Sequence, residues 1–154
     1  MRTLTLALQQ TTSCLHGIGA VVHRCDAIAG GRLYLHLEAA TGLTSAGTDA
    51  WAELSSDNDV APTRAVGRGA LVWMAGDSLG TGAAGTVAVP LQGAAGPIGA
   101  LSVFTSQAVE PEDVRQSFLR SVAAWASAAW RARRAPRRDM VSRPEPSRPS
   151  GWAN

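Results

Sequence analysis

With 154 residues and 45% hydrophobic side chains, the chain has enough apolar material for one domain plus a tail. Its formal charge of +2, from 14 basic and 12 acidic residues, excludes a uniformly polyanionic or polycationic protein. No run is long and apolar enough to cross a membrane as a helix. Five Trp, two Phe and one Tyr leave much of the packing to a few large rings. Every basic residue is Arg, a usage that surface charge does not demand and that points to a GC-rich genome.

The N-terminus does not read as a signal peptide, because Gln9, Gln10, Thr11 and Thr12 interrupt the apolar run too early. Thr3 to Ser13 predicts a short helix, with Leu4 and Leu8 one turn apart. Ile18–Cys25 and Arg32–Ala39 predict two strands, joined by a loop, Asp26–Gly31, that ends in Gly-Gly. Pairing across that loop sets Cys25 opposite Arg32, His23 opposite Tyr34 and Val21 opposite His36. These six side chains then share one face of the sheet, and Val22, Leu33, Leu35 and Leu37 form the apolar face. Two cysteines, Cys14 and Cys25, make no disulfide framework and fit a reduced, cytoplasmic setting.

Thr48 or Asp49 is expected to cap a short helix running through Leu54. After polar Ser55–Asp59, Ala61–Arg68 predicts a helix with Pro62 in its first turn and Gly69 as its stop. Ala70–Met74 reads as a third strand and Ala75–Gly85 as a small-residue loop. Val87, Val89 and Leu91 alternate with Thr86, Ala88 and Pro90, the pattern of a half-buried strand. Gln92–Pro97 is a turn and Ile98–Phe104 the next strand.

A long helix is expected from Pro111 to Arg134, with Glu110, Glu112 and Asp113 at its positive end and an apolar stripe of Val114, Phe118, Val122, Trp125 and Ala129. Trp125 and Trp130 lie five apart and cannot both centre one stripe. One is expected on the sheet and the other at the interface of a homodimer, since apolar residues on more than one helix face need a second surface. Pro136 ends the helix. Residues 135–154 predict a disordered tail rich in Arg, Pro and Ser. After residue 130, seven arginines face only Asp139 and Glu145, so this end is basic and the body mildly acidic. The tail is read as a solvated end; nucleic acid and membrane are not expected partners.

Three strings look like chemistry. Gly76–Gly80 reads GDSLG, the pattern of a nucleophile elbow, with Ser78 as nucleophile. Its base is missing by chain order, because His16, His23 and His36 all precede the serine. Gly80–Gly85 reads GTGAAG, but it opens a strand where a dinucleotide site needs a helix. Cys14, His16, His23, Cys25 and His36 lack the paired spacing of a metal site. No catalytic residue, metal or cofactor is therefore expected.

The order of these segments resembles a GAF domain. The resemblance is carried by RLYLHLEAATGL (residues 32–43) with its Ala39–Gly42 turn, then Trp51, Leu54, Pro62, Gly69 and Val72-Trp73. It continues with Val89-Pro90-Leu91 before the turn and Ile98–Leu101 after it. The spacing is similar to that of actinobacterial sensor proteins, many of which carry a SpoIIE/PP2C-type phosphatase domain after the last helix. Over residues 1–134 the resemblance implies an α+β fold: an antiparallel sheet of five to six strands with the N- and C-terminal helices packed on one face. It implies a ligand pocket on the other face, under the connecting helices. Tyr34, His23, His36, Trp51 and Trp73 are the candidate ligand-binding residues, and Trp125 and Trp130 the candidate dimer contacts. Neither a cyclic-nucleotide motif nor a bilin-attaching Cys context is present, so those ligands are not carried over. The implied function is a non-catalytic regulatory sensor that binds a small molecule or protein and signals through its C-terminal helix. No phosphatase domain follows residue 134, so the chain is expected either to act on a partner, such as a separately encoded phosphatase or kinase, or to be a shortened relative. A dimerisation module without ligand is the alternative, and a GDSL-type esterase the remote one.

Overall fold

The computed structural model describes residues 2–29, 32–77 and 79–134. In chain order the elements are α1 (Arg2–Cys14), β1 (Gly17–Ala29), β2 (Arg32–Thr41), α2 (Ser45–Trp51), β3 (Glu53–Ser55), α3 (Ala61–Arg68), β4 (Val72–Ala75), β5 (Gly85–Gly93), β6 (Gly96–Thr105) and α4 (Asp113–Arg134). The predicted tail lies outside the described residues. The strands form one six-stranded antiparallel sheet in the order β3-β2-β1-β6-β5-β4, the α+β architecture that was expected.

The terminal helices pack together on one face. Leu8 of α1 and Leu119, Ala123, Ala126 and Trp130 of α4 are buried there over Val22, Val89 and Leu101. Spacings of three to four residues put these α4 side chains on one stripe. Trp130 lies close above Gly99, where an added Cβ would sit 3.1 Å from its ring and 2.1 Å from the His23 carbonyl oxygen. Glycine is what lets β1, β6 and the indole approach each other there.

The opposite face is covered by the connecting helices α2 and α3. Val21, Leu35, Trp51, Leu54, Val66 and Phe104 form a second buried cluster. The roof has local causes. Thr44 caps α2 by accepting the Gly47 N–H at 3.1 Å. In α3, Thr63 Oγ1 donates to the Asn58 carbonyl at 2.6 Å, tying the polar loop to the helix. α3 spans Ala61–Arg68 and ends at Gly69, as its Pro and Gly signals predict.

The buried stripe of α4 is not the expected one of Val114, Phe118, Val122, Trp125 and Ala129, since Val114, Phe118 and Trp125 are exposed. Three further expectations need correction. The cap of α2 is Thr44, not Thr48 or Asp49, and the helix stops at Trp51, leaving Glu53–Ser55 to pair with β2 as an edge strand. β5 is buried from Gly85 to Leu91 on both sides, because its alternate residues are small enough to lie beneath α3. The β1–β2 register is the third. Cys25 faces Leu35, His23 faces Leu37 and Arg24 faces His36, three residues away from simple closure of the loop. Glu38 is an extra residue between the pairs Val22–Ala39 and His23–Leu37, and a second irregularity separates Asp26 from Ala29. An odd shift exchanges the face that one strand's residues share with the other's.

Candidate functional site

The roofed face holds the polar groups hardest to account for. The register puts His23 diagonal to Ser102 and Ser102 diagonal to Thr86 across β1, β6 and β5. Such diagonal neighbours stand about 7–8 Å apart. His23, Thr86, Ser102 and the overlying Trp51 are all fully buried. Trp51 meets Phe104 edge-on at a centroid distance of 4.9 Å and lies 6.0 Å from the His23 ring.

His23 Nε2 lies 2.8 Å from the Trp51 carbonyl oxygen, which only accepts, so Nε2 carries the proton and donates. In the neutral ring Nδ1 is then a bare acceptor. Burial, helped by the nearby His36, lowers the pKa to about 4 against the opposing pull of the Trp51 carbonyl. His23 is thus neutral at physiological pH. Four buried atoms on this face have no hydrogen-bond partner among the described residues: His23 Nδ1, Trp51 Nε1, Thr86 Oγ1 and Ser102 Oγ. An acceptor, an N–H donor and two hydroxyls can together bind a molecule that both donates and accepts hydrogen bonds. Thr86 and Ser102 were not among the sequence candidates. The available signal was a polar residue inside an apolar run on each of two central strands.

The five predicted ligand residues do not converge. His23 and Trp51 meet at the roofed face. Tyr34 and His36 pair with Asp26 and Arg24, and so lie on the sheet face opposite His23. Tyr34 is exposed. His36 is held between carboxylates, with Nε2 2.7 Å from Asp26 and Nδ1 3.5 Å from Glu53. Arg24 joins the same surface network through Asp26 at 3.0 Å and Glu38 at 3.4 Å. Trp73 packs half-buried on the helix-covered face, above Gly85. Of the two α4 tryptophans, Trp130 is buried, 8% exposed, and Trp125 faces outward, 47% exposed.

The strings that suggest chemistry lack the matching structure. Ser78 lies outside the described residues. The neighbouring Asp77 accepts from Thr81 Oγ1 at 3.1 Å and from the Gly82 N–H at 2.9 Å, closing a local loop. That loop leads into β5 and not into the helix that an elbow or a dinucleotide turn requires. Among the described residues no three His, Cys, Asp or Glu side chains are placed to hold a metal ion. Cys25 is a free thiol whose pKa is raised by burial and by the Asp26 charge. No helix among the described residues is long and apolar enough to cross a membrane.

Solved structures with this architecture are numerous. The GAF domain of a phosphoenolpyruvate-protein phosphotransferase from Coxiella burnetii superposes with a TM-score of 0.71 at 17% identity, over 86% of this chain and 82% of that one. The GAF-B domain of DevS from Mycobacterium smegmatis gives 0.70 at 16% identity, over 90% and 97%. The chain has the GAF fold. The type II free methionine-R-sulfoxide reductase of Thermoplasma acidophilum matches too, with a TM-score of 0.58 and 16% identity, over 82% of this chain and 93% of that one. The GAF fold is thus found both in domains of larger proteins and in an enzyme. No family model and no curated protein matches the sequence.

Proposed function

We propose that this chain is a non-catalytic regulatory sensor module of the GAF type. It takes a small polar molecule between the central strands and the α2–α3 roof and passes its binding state to α4. The observation that carries the reading is the set of four unpartnered polar atoms on His23, Trp51, Thr86 and Ser102. A buried hydroxyl or ring nitrogen left alone costs about 1–3 kcal/mol, and a ligand that engages several of them recovers that loss only when bound. β6 offers the route outward. Ser102 faces the site, while its neighbours Leu101 and Val103 face the terminal helices. A strand displaced by ligand on one side therefore moves the packing of α4 on the other.

The output is proposed to be a second copy of the chain or a separately encoded phosphatase or kinase in the cytoplasm. The latter rests on the sequence resemblance alone, the spacing from Arg32 to Leu101 being read as like that of actinobacterial phosphatase regulators. A ligand-free dimerisation module is the second reading. It is favoured by an outward stripe of Val114, Phe118 and Trp125 on α4, 78%, 37% and 47% exposed.

A thermal-shift screen of polar metabolites separates the two readings, since a ligand specific for the native state raises apparent stability. Under the sensor reading at least one compound stabilises the wild type, and Thr86→Val and Ser102→Ala abolish that shift. No stabilising compound, or shifts that persist in both variants, would leave only the interaction module.

A further inference from the structure

A recess lies on the side of the sheet that carries the terminal helices. It is a cavity of about 310 Å³ between α4, the outer edge of β5 and the turn joining α3 to β4. Leu71, Val89 and Pro90 line the sheet side and Ala123, Ala124 and Ser127 the helix side. Arg120 and Arg131 also line it. Eleven residues apart on α4, they fall on one stripe of the helix, separated by about 16 Å along its axis. No acidic side chain lines the recess. Among the described residues neither arginine has an ion-pair partner; Arg131 Nε donates only to the Ser127 carbonyl of its own helix, at 3.4 Å. An apolar chamber with guanidinium groups and no carboxylate suits an anion with an apolar body.

The sheet edge here argues against a peptide strand. β4 covers β5 only from Gly85 to Ala88, so the edge is bare beyond Val89. Pro90 has no N–H to offer. The Gln92 N–H already donates to Ser127 Oγ at 3.2 Å, and that hydroxyl donates in turn to the Ala123 carbonyl at 2.6 Å. A main-chain ladder, which needs regularly spaced free N–H groups, has nothing to pair with.

We propose that this recess binds a small amphipathic carboxylate. Its acyl or aryl body would lie on Leu71, Val89 and Ala124, and its carboxylate would be held by the Arg120 or Arg131 guanidinium. The site is separate from the roofed face and does not depend on it. A bound anion joins the end of α3 to α4 and braces α4 against movement over the sheet.

The test uses the full chain and two probes of equal length, octanoate and the neutral octanamide, titrated by calorimetry and by amide NMR. Octanoate is expected to bind saturably, shifting the Gly69, Gln92 and Ser127 amides, with octanamide at least tenfold weaker. Arg120→Gln combined with Arg131→Gln is expected to weaken octanoate tenfold or more, by loss of the charge-assisted contact. Ala124→Phe, at an exposed helix position, is expected to fill the chamber and abolish binding while the far-UV spectrum is unchanged. Absent or non-saturable octanoate binding at millimolar concentration would overturn the proposal. So would octanamide binding equally well, or octanoate affinity unchanged in the arginine double variant.

Discussion

Acidification acts on the buried imidazole at the centre of the roofed face. His23 has a pKa of about 4 in the folded protein, against an ordinary value of 6.5 that the unfolded chain regains. Between those two values the unfolded state binds a proton that the native state refuses. Stability therefore rises with pH across this window, by up to about 1.4 kcal/mol per unit. The contribution is complete above roughly pH 6.5 and lost as pH falls toward 4, a loss of about 3 kcal/mol. Burial is the main cause, since the Trp51 carbonyl favours the protonated ring and works the other way. Carboxylates also titrate in this range, so the measurement is a difference. Urea unfolding is followed from pH 7 to pH 4 for the wild type and for His23→Gln, which keeps an N–H to donate. The wild-type advantage over the variant should shrink by about 3 kcal/mol on acidification. A gap that stays level, or that widens toward pH 4, would refute the assignment of a neutral, proton-refusing His23.

Gly85→Ala places a Cβ 2.0 Å from the Trp73 ring and is expected to cost about 1–3 kcal/mol in chemical denaturation; in a Trp73→Ala background most of that cost should vanish, which a double-mutant cycle measures. Thr86→Val removes an unpartnered buried hydroxyl at nearly constant volume. In ligand-free protein it is expected to be neutral or to stabilise by about 1 kcal/mol, read as a rise in Tm. Trp51→Ala, which empties the centre of the second core cluster, is expected to cost about 3–5 kcal/mol by urea unfolding. Trp125→Glu should dissociate any dimer in sedimentation equilibrium with little change in monomer stability, whereas Trp130→Glu, at a buried position, should prevent folding.

Local signals announced the elements well. Pro62 and Gly69 bracket α3 because a first turn tolerates proline and a helix end favours glycine, whatever surrounds them. The 3.6-residue spacing foretold the helix α4 but not its buried face, which runs through Leu119, Ala123, Ala126 and Trp130; the alternation in residues 86–91 and the Gly/Pro turn after it foretold β5 and β6. That only one of Trp125 and Trp130 is buried follows from their angular separation on one helix. The edge strand β3 was hidden because three residues carry too little periodicity to read.

The site was legible only in fragments. His23 and Trp51 could be singled out as unusual residues, but their partners could not, because alternation within a strand is local while its phase against the next strand is a matter of pairing. A hairpin that closes at Ala29–Arg32, with an irregularity between Asp26 and Ala29, set β2 three places along β1 and parted Tyr34 and His36 from His23. Ser102 and Thr86 became a pair of interest through the β5–β6 register and the roof above them. Apolar spacing and turn residues are enough to mark most of the strands and helices in order, since each acts over a few residues; that they build one antiparallel sheet with both terminal helices on one face is what the resemblance to GAF domains implied. Which polar atoms end up dry, and which face each other, depends on contacts between segments far apart in the chain, and those exist only once the sheet has closed.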